Sequence, residues 1–357
     1  MSTTTSHPNP PQPPPTDGSA GGPISGAAPA SADGSAPGSA PTSADGPVPV
    51  AADGSAPASA PVPARRPRYV DPARPFGAHL RLAWWKPALL VPGLLLTMVV
   101  LQTALTMVVV VIEMLALGRS PEDVTLSPLL LAAVNASLAV TGVLAVLVTA
   151  LVARVPWRSL IAHPRTWAWR RLAGYSGVFA VLVIAMLVVM ALIDPASAGM
   201  GGSFAVTGTT IGLIAVAVLT TPLQAAGEEL LYRGALMPLI GSWARAAKPA
   251  LVLGMVGSSI VFGLSHLSID PWLLSYYTVF GLSMAAMALL SRGLEAPIAF
   301  HVTNNVLMMV VGALFADGGG VVIDRSVGMG GPVMLVVMAA DVAAVAVVGL
   351  YERRRRS

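Results

Sequence analysis

The chain has 357 residues, 55% of them hydrophobic and only 11% charged, with a mean hydropathy of +0.73 and no cysteine. That balance excludes an ordinary water-soluble domain. The missing cysteine excludes disulfides, thiolate metal sites and cysteine nucleophiles. A formal charge of +4 and a pI near 9.8 could signal nucleic acid, but in a membrane protein excess Lys and Arg marks the cytoplasmic loops, so no nucleic-acid partner is expected.

Residues 1–64 are almost wholly Pro, Ala, Ser, Gly and Thr, with a loose repeat at Ser31–Pro37, Ser43–Pro47 and Ala51–Pro57. Such a stretch has too little apolar surface to offset chain entropy and reads as a disordered tail. It is not expected to be a secretory signal, because no apolar run follows a short basic start. Residues 65–87 gather Arg65, Arg66, Arg68, Arg74, Arg81 and Lys86 with Trp84 and Trp85, the pattern of a basic juxtamembrane collar.

Eight apolar segments follow, near 88–112, 127–153, 172–193, 205–227, 250–267, 271–291, 296–315 and 332–350. Each is about long enough to cross a bilayer. The expected fold is therefore an all-α polytopic membrane bundle over 88–350, closed by a basic tail at 351–357. With the N-terminus inside and eight crossings, 19 of the 21 Lys and Arg fall inside, leaving only Arg119 and Arg325 outside. This asymmetry predicts a multi-pass protein of the cell membrane with both termini cytoplasmic.

Three polar motifs interrupt the apolar run of the second half. The first is Glu228-Glu229-x-x-x-Arg233, which the fourth segment carries if its helix runs on past residue 227. On a helix Glu229 and Arg233 are i,i+4 neighbours that can pair, while Glu228 points about 100° away and is free for chemistry. The second is Phe262-Gly263-Leu264-Ser265-His266. The third is His301-Val302-Thr303-Asn304-Asn305, with His301 and Asn305 on one face. Lipid supplies no hydrogen-bond partners, so polar groups on separate apolar helices are expected to meet. Together they suit amide hydrolysis. Glu228 would act as general base on a water held with His266, and His301 with Asn305 would donate toward the oxyanion of a tetrahedral intermediate. The same side chains also suit zinc, although the His-Glu-x-x-His signature is missing.

At these motifs the sequence resembles the CPBP family, the CAAX prenyl endopeptidases and bacteriocin-processing enzymes also called Abi. The family pattern is Glu-Glu-x-x-x-Arg, Phe-x-x-x-His and His-x-x-x-Asn/Asp on separate membrane helices. Every position is met here, by Glu228, Glu229, Arg233, Phe262, His266, His301 and Asn305, over roughly residues 205–315. The resemblance implies an intramembrane endopeptidase in which the first glutamate and the second motif's histidine activate water, and the third motif's histidine and asparagine form the oxyanion hole. Family members have been regarded as metalloproteases. A metal-free mechanism is the expectation here, with zinc the alternative cofactor. An Ala- and Arg-rich, Lys-poor composition suggests a GC-rich bacterial gene, so a membrane protein or peptide is expected as substrate rather than a prenylated CAAX tail.

Depth poses a problem. A fifth helix starting at Pro249 would place His266 17 residues along, about 25 Å into a roughly 30 Å core, whereas His301 would lie just inside the cytoplasmic face. Either that helix starts later, near Leu253, with residues 241–252 at the interface, or the site sits near mid-membrane on tilted helices. Asp341, midway along the last segment, is expected to form a cross-helix hydrogen bond. Trp157, Trp167 and Trp169 are expected as interfacial anchors. Ser265 lacks the Gly-x-Ser-Gly setting of a rhomboid-type nucleophile. Two other classes compete with a peptidase: a non-proteolytic membrane scaffold or immunity protein, and a transporter. The transporter would predict inverted repeats, whereas the polar residues lie in one half only.

Overall fold

In a computed structural model of the protein, the structure describes residues 73–120, 122 and 125–355. The expected tail over 1–64, the collar residues Arg65, Arg66 and Arg68, and Arg356 lie outside the described residues. Among the described residues the fold is all-helical, and eight helices are long and apolar enough to cross a membrane. They are α1 (Trp85–Leu117), α2 (Pro128–Ala153), α3 (Trp169–Ile193), α4 (Gly208–Gly241), α5 (Ala247–Ser265), α6 (Pro271–Ser291), α7 (Glu295–Leu314) and α8 (Met334–Arg354).

Several ends are written locally. Ser127 accepts from Leu130 N at 3.0 Å to open α2, and Asp270 accepts from Trp272 N and Leu273 N to open α6, each followed by proline at the first helical position. α1 runs five residues past its expected end at 112. Its Glu113 is buried, yet it accepts from Arg119 at 2.6 Å and from Ser127, so a charge that looked like a boundary is neutralised and the helix continues to Gly118. α4 continues through the Glu-Glu motif, as expected. α5 takes the early start at Ala247 and runs unbroken to Ser265, so residues 241–252 are no separate interfacial stretch.

The described part of the collar does more than border the bundle. Phe76 packs with Ala288, Leu294 and Ile298, and Leu80 with Val146, Ala153 and Leu160. These apolar side chains fill the end of the bundle between the α2–α3 link and the start of α7. Trp84, Trp157 and Trp169 stay exposed, consistent with interfacial anchoring. At the opposite end Leu126 and Val321 exchange backbone hydrogen bonds, tying the α1–α2 link to the α7–α8 link.

α4 is central, packing against α2, α5 and α7. Its contact with α2 is backbone to backbone. A Cβ on Gly142 would overlap the carbonyl oxygen of Gly227, and one on Gly227 would overlap the carbonyl oxygen of Leu138. Close approach through small residues is how helices associate in lipid, where there is little hydrophobic drive between them. Just above, Asn135 Nδ2 donates to Thr220 and Thr221 Oγ1 at 2.8 and 3.1 Å, fixing the register of the pair. Gly142→Ala should therefore cost about 1–3 kcal/mol and lower the detergent melting temperature. Gly93→Ala, where nothing lies within 4 Å of the added carbon, should not; equal melting of the two variants would contradict the crossing.

Candidate active site

Glu228 and Glu229 end the regular part of α4. From Leu230 to Leu236 the helix widens to π-helical geometry, with Met237 N–H reaching back five residues to Tyr232 O. Such widened turns often mark functional sites. Here the turn carries Tyr232 and Arg233 inward, and Arg233 is fully buried.

The two carboxylates have different surroundings. Glu229, fully buried, accepts at Oε1 from Arg233 Nη1 at 3.0 Å and from His301 Nδ1 at 2.8 Å. Arg233 Nη2 donates to Gly281 O at 3.0 Å, and its guanidinium lies 4.6 Å from the Phe262 ring centroid. One carboxylate thus gathers α4, α7 and, through arginine, α5 and α6. Glu228 instead lines a cavity of about 560 Å³. Its Oε1 accepts from Gln224 Nε2 at 2.6 Å, and its Oε2 lies 3.6 Å from His301 Nε2.

His266 caps α5, with its Nδ1 2.8 Å from Phe262 O. A carbonyl can only accept, so Nδ1 carries the proton and Nε2 is left as an acceptor. The ring stacks on Tyr277 at 3.9 Å between centroids and lines the same cavity as Glu228. His301 Nδ1 likewise donates to a carboxylate, so its Nε2 carries a proton only in the imidazolium form. Asn305 Nδ2 donates to Gln224 Oε1 at 3.3 Å, and Asn304 Nδ2 to Asn305 Oδ1 at 3.2 Å. All six sequence-predicted residues therefore meet: Glu228, His266, His301 and Asn305 on the cavity wall, Glu229 and Arg233 behind it.

Gln224 was not anticipated. It bridges Glu228 and Asn305, and the signal was present, since it lies one turn before Glu228 on the same apolar helix. Tyr276, Tyr277 and Asn304 also line the cavity. Ser265 is committed to structure, accepting from Tyr232 Oη at 2.7 Å and donating to Phe262 O at 2.7 Å. The cross-helix hydrogen bond expected of Asp341 is not made. Its carboxylate is buried near Tyr276 and has no hydrogen-bond partner among the described residues. Asp341 is buried among the helices, but its burial is not accompanied by the hydrogen bond that was expected.

For a metal, Glu228, Glu229 and His301 come nearest to a ligand set, but Glu229 and His301 are bonded to each other and a guanidinium sits on the same oxygen. Among the described residues no group of three or more His, Asp or Glu converges to hold an ion. The connections that border the cavity, Leu126, Val321, Ile323 and Arg325, belong to the α1–α2 and α7–α8 links. The cavity therefore opens at the end of the bundle opposite the α2–α3, α4–α5 and α6–α7 turns.

Comparison with known proteins bears out the resemblance over this region. Residues 209–307 match the family described as "Type II CAAX prenyl endopeptidase Rce1-like". The matched stretch runs from the second residue of α4 into α7 and contains all six residues above. An uncharacterised Bacillus subtilis (strain 168) protein, YyaK, is 28% identical over 161 residues, which is 43% of this chain and 51% of that protein. The chain thus spans about half the length of the curated relative it matches. No solved structure matches the chain.

Removing one partner of a buried ion pair costs about 3–5 kcal/mol, because the other charge is left unpaired. Arg233→Ala should accordingly lower the detergent melting temperature sharply, and Arg233→Lys should recover only part of the loss, since an ammonium cannot span Glu229 and Gly281 while stacking on Phe262. An Arg233→Ala protein melting like the wild type would refute the pairing.

Proposed function

We propose that the chain is an intramembrane endopeptidase that hydrolyses a peptide bond in a membrane-associated protein or peptide, with water activated by Glu228. The observation that carries this reading is the division between adjacent carboxylates. Glu229 is closed off by Arg233 and His301, while Glu228 faces a cavity large enough for an extended peptide segment. A scaffold or immunity protein has no use for an ionisable group held on a cavity wall in this way. The family match supports protease chemistry of the same broad kind.

In this mechanism a water sits between Glu228 and the Nε2 lone pair of His266. Glu228 removes its proton as the oxygen attacks the scissile carbonyl. The resulting oxyanion is met by Asn305 Nδ2 and by an N–H at His301 Nε2. The protonated Glu228 then returns its proton to the leaving amine, and the C–N bond breaks. Gln224 holds Glu228 and Asn305 in fixed relation through both steps. The reading is metal-free, supported by the guanidinium that occupies the place of a second cation beside Glu229.

The charge asymmetry supports an orientation with both termini and the cation-rich turns in the cytoplasm, in which the cavity admits substrate from the outer face of a bacterial cell membrane. The substrate class is a membrane protein or peptide within the lipid bilayer, with no nucleic acid involved.

Purified wild type should cleave members of a membrane-peptide library, and Glu228→Gln should lose about a hundredfold or more of that activity. Chelator should leave wild-type cleavage unchanged. Loss with chelator and rescue by zinc would overturn the metal-free reading, and full activity of Glu228→Gln would overturn the mechanism. For orientation, the absence of cysteine makes single-cysteine labelling clean. A membrane-impermeant maleimide should label Ile323→Cys in intact cells and Arg245→Cys only after permeabilisation; the reverse pattern would invert the topology.

A further inference from the structure

Two cations lie at the end of the bundle where the cavity opens, against the general distribution of charge. Arg119 is committed, donating to Glu113 and Thr125. Arg325 is not. It lines the cavity, and its guanidinium makes a single long contact of 3.4 Å to His266 O. No carboxylate lies within ion-pair distance of it among the described residues. Among the described residues it is the one Arg or Lys on the cavity wall.

Its backbone is held although its side chain is not. Ser268 Oγ donates to Arg325 O at 2.9 Å, and Gly328 N donates to Asp270 Oδ2 at 2.9 Å. Asp270 is also the α6 cap, and hydrogen bonds from Leu273 and Gly328 hold its carboxyl below the usual carboxylate range. It is therefore ionised, and grips the α7–α8 link, throughout the neutral pH range. Beside Arg325 the cavity is lined by apolar Ile323 and Val321, and Ile323 is half exposed. A cation on the cavity wall attracts an anion to the mouth, while Glu228 on the same wall repels it from the reacting centre.

Resting on the endopeptidase reading, we propose that Arg325 is a specificity residue that binds a carboxylate of the peptide substrate, either an Asp or Glu side chain or a free C-terminus, and so sets which peptide bond reaches Glu228. Arg325 touches the carbonyl of the residue whose ring faces the reacting water.

The test uses the full-length protein in phosphatidylcholine vesicles and apolar dodecapeptides with an amidated C-terminus, carrying Asp or Asn at each position in turn. A second set carries a free C-terminus. Wild type is assayed for cleavage, and Glu228→Gln for binding, so that preference is measured even if no peptide is cut. Failure of cleavage with preference intact would count against the endopeptidase reading alone. Expected is a preference of about tenfold for Asp over Asn in one register, or for the free over the amidated terminus. Arg325→Gln should abolish it, and Arg325→Glu should reverse it in favour of Lys peptides, which a merely structural role would not do. Equal behaviour of Asp and Asn peptides in every register and of both termini overturns the proposal. So does an unchanged preference in Arg325→Gln, or an effect of Arg325→Gln confined to vesicles containing phosphatidylglycerol, which would assign the guanidinium to a lipid headgroup.

Discussion

A guanidinium and a carboxylate sealed from water hold the centre of this bundle, and much else follows from that constraint. Neither Glu229 nor Arg233 has access to solvent, so every hydrogen bond they need must come from protein. Arg233 finds Glu229 on its own helix and Gly281 on α6, and Glu229 finds His301 on α7. Helices that could slide past one another on apolar contacts alone are thereby fixed in depth and rotation. With His301 locked to one carboxylate, its other nitrogen is directed at the second. The structural pair thus aims a group of the candidate reaction centre.

Glu228 is held by a different device. The glycine crossing of α2 and α4 lies directly beside it, and no side chain intervenes to let α4 rotate. Gln224, one turn earlier, holds the carboxylate from within the same helix and reaches across to Asn305. Pre-organisation of this kind matters because a reacting group must already be in place when charge develops. The cavity, the widened turn after Glu229 and the fixed α7–α8 link are consistent with a site prepared to receive an extended chain.

What was legible in the sequence was local or forced by lipid. The Glu229–Arg233 pair follows from helical spacing, and the shared face of His301 and Asn305 from the same period. That the three motifs meet follows from the cost of isolated polar groups in a bilayer, and eight spans from apolar length. Less legible were features that depend on a partner distant in sequence or on ring orientation. The extension of α1 turns on Glu113 being neutralised across a loop by Arg119. The burial of Phe76 and Leu80 in a basic stretch depends on a space left between α2 and α7. The turning of His301 toward Glu229 is a rotamer choice that spacing does not encode. Asp341 shows the converse: its interior position was readable, but the hydrogen bond inferred from it was not formed.

The central claim is that neighbouring glutamates divide structure from chemistry, and the most direct test is to compare the melting temperatures of Glu228→Gln and Glu229→Gln in the same detergent. Glu228 faces a cavity, accepts from one neutral amide and has only the more distant His301 Nε2 at 3.6 Å besides, so its neutral isostere should melt close to the wild type. Glu229 offsets a buried guanidinium, so its isostere should melt far lower. Equal destabilisation of the two variants, or a greater loss in Glu228→Gln, would contradict the account.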